Sequence, residues 1–196
     1  VFLNGYTNVF WILGTESTID KTFNPSEQAL VTNYLSGQRN LMVSGAEIAW
    51  DMDQANNGRA FYNNTLGVRY VSDDANTYTV GAGAGVLAGL SSFTFGSPAS
   101  VNNTAYPPPA NSPYDVPYPD VIAATSAAGA PIFNYTIGAN SVGAAGIRTQ
   151  RGGAKIIVLG FPFETIISEA SRNQMMTLVM QDFNAPAAGV DDWTLY

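Results

Sequence analysis

Three nearly continuous apolar runs constrain this chain more than any other feature. Asn8–Leu13 (NVFWIL), Leu41–Val43 (LMV) and Ala154–Leu159 (AKIIVL) each run into a turn of small residues. A strand with one wet face alternates apolar and polar residues. A run that is apolar at both parities fits a strand buried on both faces, as in a parallel sheet covered by helices. Between the first two runs, Asn24-Pro25-Ser26-Glu27 reads as a helix start. Asn24 can cap, Pro25 suits the first helical position, and Glu27 stands where a capping box needs it. The helix points Ala29, Leu30, Tyr34 and Leu35 inward and ends at Gly37. Strand, helix and strand with short connections make a βαβ unit, whose crossover is expected to be right-handed.

The pattern changes further along. Phe61–Leu66 reads as a short helix, and residues 68–147 read as a β-rich insertion. Its short alternating stretches are Val68–Val71, Thr77–Val80, Ser92–Phe95, Ile132–Ile137 and Val142–Ile147. The proline-rich stretch 106–120 (YPPPANSPYDVPYPD) reads as an extended surface loop. Thr165–Phe183 reads as a long amphipathic helix, with Ile166, Ala170, Met175, Leu178, Val179 and Phe183 as core contacts. Residues 1–184 are expected to form one domain, and residues 185–196 a tail or linker anchored by Trp193 and Tyr196. An open α/β sheet takes about five strands, and only three parallel ones are evident. A first strand and helix are therefore expected to be missing before Val1, supplied upstream or by a neighbouring subunit.

Composition removes whole classes of function. The 196 residues are 46% hydrophobic, which is globular rather than disordered. Net charge is −7, with lysine only at Lys21 and Lys155, so no basic patch exists for nucleic acid or an anionic membrane. No apolar run approaches the ~18 residues of a membrane span. There is no cysteine and no histidine. Thiol nucleophiles, disulfides, imidazole bases and the usual zinc ligands go together, and Ser–His and Cys–His catalysis with them. Scarce lysine, abundant Asn, Gly, Ser and Thr, and missing thiols point to an extracellular or cell-surface protein. Asn63, Asn102 and Asn134 head Asn-x-Thr sequons and are glycosylation candidates, at a frequency chance would supply.

Taken together, "VFWILGTEST", "EQALVTNYLSGQRNLMVSGAEIAWDMD", "YVSDDANTYTV" and "AKIIVLGFPFETI" resemble the class I glutamine amidotransferase-like domains of large secreted bacterial proteins, over about residues 6–183. The resemblance implies a flavodoxin-like, open and mainly parallel sheet flanked by helices. It also implies a catalytic Cys on a Gly-x-Cys-x-Gly bend and a late Phe-His-Pro-Glu motif. In this sequence the bend reads Gly45-Ala46-Glu47-Ile48-Ala49, and the late motif reads Phe161-Pro162-Phe163-Glu164. Glu47 stands in place of the nucleophile and Pro162 in place of the histidine, so glutamine hydrolysis by that route does not carry over.

Carboxylates remain. Glu16, Glu47 and Glu164 each follow the carboxyl end of an expected strand, where open α/β folds bind ligands. With Asp51 and Arg172 they are the ligand-binding candidates. If any residues are catalytic they are Glu47 and Glu164, as the acid and base of a glycoside hydrolase. A calcium ion is the cofactor such oxygen ligands would take, with Asp51, Asp53, Asp73 and Asp74 as metal candidates. The structural alternative, carboxylates accepting from N–H groups at helix starts, is favoured over both. Ser44 beside Lys155 is a further, weaker pair. Tyr106, Tyr114 and Tyr118 could stack on sugar rings or simply pack in the loop.

The sequence thus reads as a non-catalytic structural or binding module, or a subunit of an extracellular assembly. Cell-wall or polysaccharide hydrolysis by clustered glutamates and a calcium-stabilised accessory domain are the alternatives. The expected partners are other domains of the same precursor or neighbouring subunits, and a glycan; nucleic acid and a membrane span are not expected.

Overall fold

The computed structural model describes residues 2–96 and 114–185. The expected capping box is present. Asn24 Oδ1 accepts from the N–H groups of Ser26 and Glu27, and Glu27 Oε2 accepts from the N–H of Asn24 at 2.9 Å. Helix α1 spans Pro25–Ser36 and turns Val31, Tyr34 and Leu35 into the core. Ala29 is exposed and Leu30 half-buried, so the buried stripe is rotated from the expected one. The buried Tyr34 hydroxyl is shared between the carbonyls of Thr7 and Asn40, each at 2.9 Å. Burial pushes its pKa up to about 12.

The first two apolar runs form β1 (Asn8–Gly14) and β2 (Asn40–Gly45), which pair in parallel. Next come β3 (Val68–Ser72), β4 (Thr79–Val80), β5 (Phe93–Thr94), β6 (Val121–Ala124), β7 (Gly129–Ile137) and β8 (Asn140–Arg151). The third run forms β9 (Ala154–Leu159), and helix α2 (Glu169–Asn184) follows it. β2 and β9 are buried at every position. Leu41, Val43, Ile156 and Val158 face a cluster with α1 residues Val31 and Tyr34. Met42, Ile157 and Leu159 face the opposite cluster with α2 residues Met175, Val179 and Phe183. At the start of α2, Ala170 is exposed, and Leu178 is half-buried.

The sheet as a whole departs from the expected class. One nine-stranded sheet runs in the order β1-β2-β9-β8-β7-β4-β5, with β6 joining β3 to β8. Only β1–β2 and β2–β9 are parallel; the remaining pairings are antiparallel. The fold is a mixed, mostly antiparallel, curled half-barrel with few helices, not a mainly parallel flavodoxin-like sheet. Nor do residues 68–147 form an insertion beside the sheet. The second half of β8 pairs with the whole of β9, from Gly146 opposite Leu159 to Arg151 opposite Ala154. The stretch Val142–Ile147 is a strand as expected, but "VGAAGI" carries too little apolar signal to place it inside the main sheet, where Ala144 to Ile147 are buried. The expectation of a missing first strand and helix rested on the mainly parallel class, which the strand pairing overturns.

The two sheet edges differ. β5 is covered, since Phe95 bridges to Ile166 and the Ile167 N–H donates to the Thr94 carbonyl at 3.0 Å. β1 pairs only with β2 among the described residues.

The Asn24 cap gives a direct check. Asn24→Ala leaves the Ser26 and Glu27 N–H groups without that acceptor and is expected to cost about 1 kcal/mol in urea unfolding.

Candidate functional site: the carboxylate elbow after β2

β2 ends at Gly45, and the chain turns through Ala46 and Glu47 into a helical segment reaching Gln54. A nucleophile elbow holds its residue in a strained turn. Here the non-glycine residues with positive φ are Lys21, Gln38, Asn56 and Asn76, so Glu47 sits in relaxed backbone. Its carboxylate accepts from the Ser17 hydroxyl at 2.6 Å. Partial burial raises its pKa; the Ser17 bond opposes this, and repulsion from Asp73 and Asp51 adds to it.

The organising residue of the elbow is one that sequence reasoning missed. Asp120 is fully buried, and its Oδ2 accepts from the N–H groups of Ala49 at 2.8 Å and Trp50 at 3.0 Å. Its backbone N–H donates to the Ala46 carbonyl, and its own carbonyl accepts from the Tyr135 hydroxyl. Gly160 makes the approach feasible: a Cβ there would lie 2.1 Å from the Asp120 carbonyl oxygen. The two N–H bonds favour the anion, but burial outweighs them, and repulsion from Glu47 and Asp73 adds to it. The carboxyl is held well above the usual carboxylate range, and its Oδ1 is buried without a partner. The available signal was a lone Asp directly before the apolar run Val121-Ile122, masked by the prolines ahead of it.

The other candidates separate. Glu164 Oε1 accepts from the Tyr114 hydroxyl, and Glu164 Oε2 is buried without a partner. That pair packs at Gly14, which adopts φ +59° at the end of β1. Glu164 is not among the acidic groups acting on Glu47, whose charged neighbours are Asp73, Asp51 and Asp120. Arg172 does not reach Glu164; its guanidinium donates to the carbonyls of Ile166 and Ile167. Glu16 is exposed, its pKa raised by partial burial and by Asp20 and Glu27.

The aspartates proposed for calcium are mostly engaged by the protein. Asp51 accepts from the Thr22 N–H and hydroxyl and from Asn57. Asp53 pairs with Arg59 at 2.9 Å and accepts from the Tyr70 N–H. Asp74 accepts from the Asn76 N–H two residues on, a local turn. Asp73 is half-buried, its pKa raised by burial and by Asp74. Among the described residues, no three acidic groups converge in a geometry that could hold a metal ion.

Ser44 and Lys155 lie at opposite ends of adjacent strands. Ser44 Oγ accepts from the Phe163 N–H at 2.6 Å. Lys155 Nζ donates to the carbonyls of Asp182 and Ala185, closing the carboxyl end of α2. Tyr114 is bound to Glu164, and Tyr118 is exposed. Of the sequons, Asn63 lies against Asp53 and Asn134 is exposed on β7. Tyr106, Asn102, Trp193 and Tyr196 lie outside the described residues.

No family model and no curated protein sequence matches the chain. Its fold is similar to part of the β-galactosidase from Rahnella sp. R3, with a TM-score of 0.57 and 11% identity over 95% of this chain and 24% of that one. It is similar to part of the β-galactosidase from Bacillus circulans sp. alkalophilus, with a TM-score of 0.54 and 10% identity over 93% of this chain and 23% of that one. The mmIFT52 N-terminal domain aligns with a TM-score of 0.55 and 11% identity, over 94% of this chain and 80% of that one. The chain spans about a quarter of the β-galactosidases' length. At such identities the likeness is one of fold alone. These neighbours and the strand pairing correct the amidotransferase-like, flavodoxin-like assignment, and nothing in them supports secretion. Among the described residues no helix is long and apolar enough to cross a membrane.

Asp120 yields a signed pH prediction. A carboxyl with a raised folded-state pKa stabilises at low pH, and that contribution is lost as pH rises through the folded value. Asp120→Asn keeps an oxygen for the Ala49 and Trp50 N–H groups and removes the titration. The stability of the wild type minus that of the variant is expected to fall as pH rises above the ordinary carboxylate range in urea unfolding. A difference that rises with pH would show that Asp120 is an anion in the folded protein.

Proposed function

We propose that this chain is a non-catalytic binding module that associates with another polypeptide through the open edge of β1. The likeness of its fold to about a quarter of two β-galactosidase chains is compatible with an accessory or binding module. The observation that carries the reading is β1 itself. Its sequence is that of a central strand, yet Val9, Phe10 and Trp11 are half-buried and Ile12 is 48% exposed. Natural sheet edges are protected by charge, proline or a covering element. β1 carries no charge or proline, and its outer side is unpaired among the described residues. Strand addition at such an edge combines main-chain hydrogen bonds with apolar side-chain contacts.

The elbow supports the same reading from the other side. Glu47 and Glu164 bond to different partners, Ser17 and Tyr114, and no imidazole or thiol stands near either. Their surroundings describe joints between the sheet and its loops rather than an acid and base sharing a substrate.

The probe is a labelled peptide of residues 7–15 with terminal lysines, titrated with dilute protein by fluorescence anisotropy. Saturable binding is expected, weakened roughly tenfold or more by Ile12→Lys. Ile137→Lys, at an exposed position on β7, is expected to leave it unchanged. No binding by folded wild type that sediments as a monomer at the concentration used overturns the edge reading. Hydrolysis of glutamine or a β-galactoside that is lost in Glu47→Gln overturns the non-catalytic one.

A further inference from the structure

We infer that the occupant of the β1 edge is a second copy of this chain, its β1 antiparallel to the first about a two-fold axis normal to the sheet. This rests on the edge reading above and names the partner. Three observations select a second copy.

The first is charge. The chain carries −7, so copies repel over most of their surface. Residues 1–15 contain no charged side chain. The segment therefore brings two copies together without setting like charges opposite each other, which would destabilise cross-strand pairs. Of the charges near the start of β1, Asp182 is neutralised by Arg148 at 3.1 Å.

The second is the distribution of exposed apolar side chains. Phe2, Tyr6, Ile12 and Ile19 are exposed, in β1 and in the segments that flank it in the chain. Exposed apolar clusters of this kind mark interaction surfaces.

The third is the match of layers. β1 is only partly covered on each face, and its outer edge is unpaired among the described residues. On one face Phe10 packs against Phe183 of α2, with ring centroids 6.1 Å apart, and the Asn8 side chain meets Met180 and Asn184. On the other face Trp11 packs against Phe23 at 5.3 Å. A lone foreign strand supplies edge hydrogen bonds and its own alternating side chains. A two-fold normal to the sheet preserves its faces, so the α2 layer of one copy abuts the α2 layer of the other, and likewise on the opposite face. Phe10 with Phe183 and Trp11 with Phe23 are then extended by their own counterparts. The contact is isologous and closed, as in most homodimers.

The test is sedimentation equilibrium on the full chain from about 1 to 100 µM, with hydrogen exchange of the β1 amides over the same range. A dimer is expected, with slow β1 exchange that quickens on dilution. Ile12→Lys places two ammonium groups in the interface from an already exposed position. It is expected to raise the dimer dissociation constant at least about tenfold, with thermal unfolding reporting that the monomer remains folded. A dimer undiminished by Ile12→Lys overturns the inference. A monomer throughout the range also overturns it; if that monomer still binds the β1 peptide, the edge reading stands and only the second copy falls. A monomer with slowly exchanging β1 amides assigns the edge to another part of the same chain and overturns both.

Discussion

Everything in this molecule is arranged around β2 and β9, two adjacent parallel strands buried at every residue. Strands apolar on both faces demand cover on both faces. Helix α1 supplies one layer and α2 the other, and the two hydrophobic clusters divide the side chains of the pair by parity. The strands beside this pair then have different fates. β8 extends it antiparallel and leads into the curled remainder of the sheet. β1 extends it in parallel and is the last strand among the described residues, with the composition of an inner strand at that outer position.

The carboxyl ends of β2 and β9 illustrate how a site position can serve as structure. The elbow places Glu47 where a reactive group would be exposed, but its backbone is relaxed and its carboxylate is bonded to Ser17. The neighbouring helical turn receives a buried carboxyl from Asp120, delivered by a segment that passes over Gly160 at backbone contact distance. Ser44 ties the same strand end to Phe163, and Tyr114 ties Glu164 to the end of β1. Glu47, Asp120, Ser44 and Glu164 are instead joints between the sheet and its connecting loops, with two buried oxygens, on Asp120 and Glu164, left unpartnered among the described residues.

Legibility followed the range of the interactions. The capping box at Asn24 and Glu27 was readable because all its partners lie within four residues. The short helix at Phe61–Leu66 and the strand pair β1–β2 were readable from local pattern. β6 has no signal of its own and β8 reads as part of an insertion, because "VIAA" and "VGAAGI" are short or small-residue runs whose burial is decided by neighbours far away in the chain. Arg172 illustrates the same limit: helical spacing suggested Glu164, while the folded backbone offered the nearer carbonyls of Ile166 and Ile167.

By itself, then, the sequence determined that β2 and β9 would be buried on both faces, that a helix would begin at Asn24, and that thiol and imidazole chemistry were closed to the chain. Those are properties of composition and of contacts a few residues apart, where local physics suffices. Only the tertiary structure decided that most of the sheet would be antiparallel, that Asp120 would reach the elbow across seventy-one residues from Ala49, and that β1 would have no second strand partner among the described residues. These depend on which distant segments meet, and the small and polar residues that make those meetings carry no periodic signal to announce them.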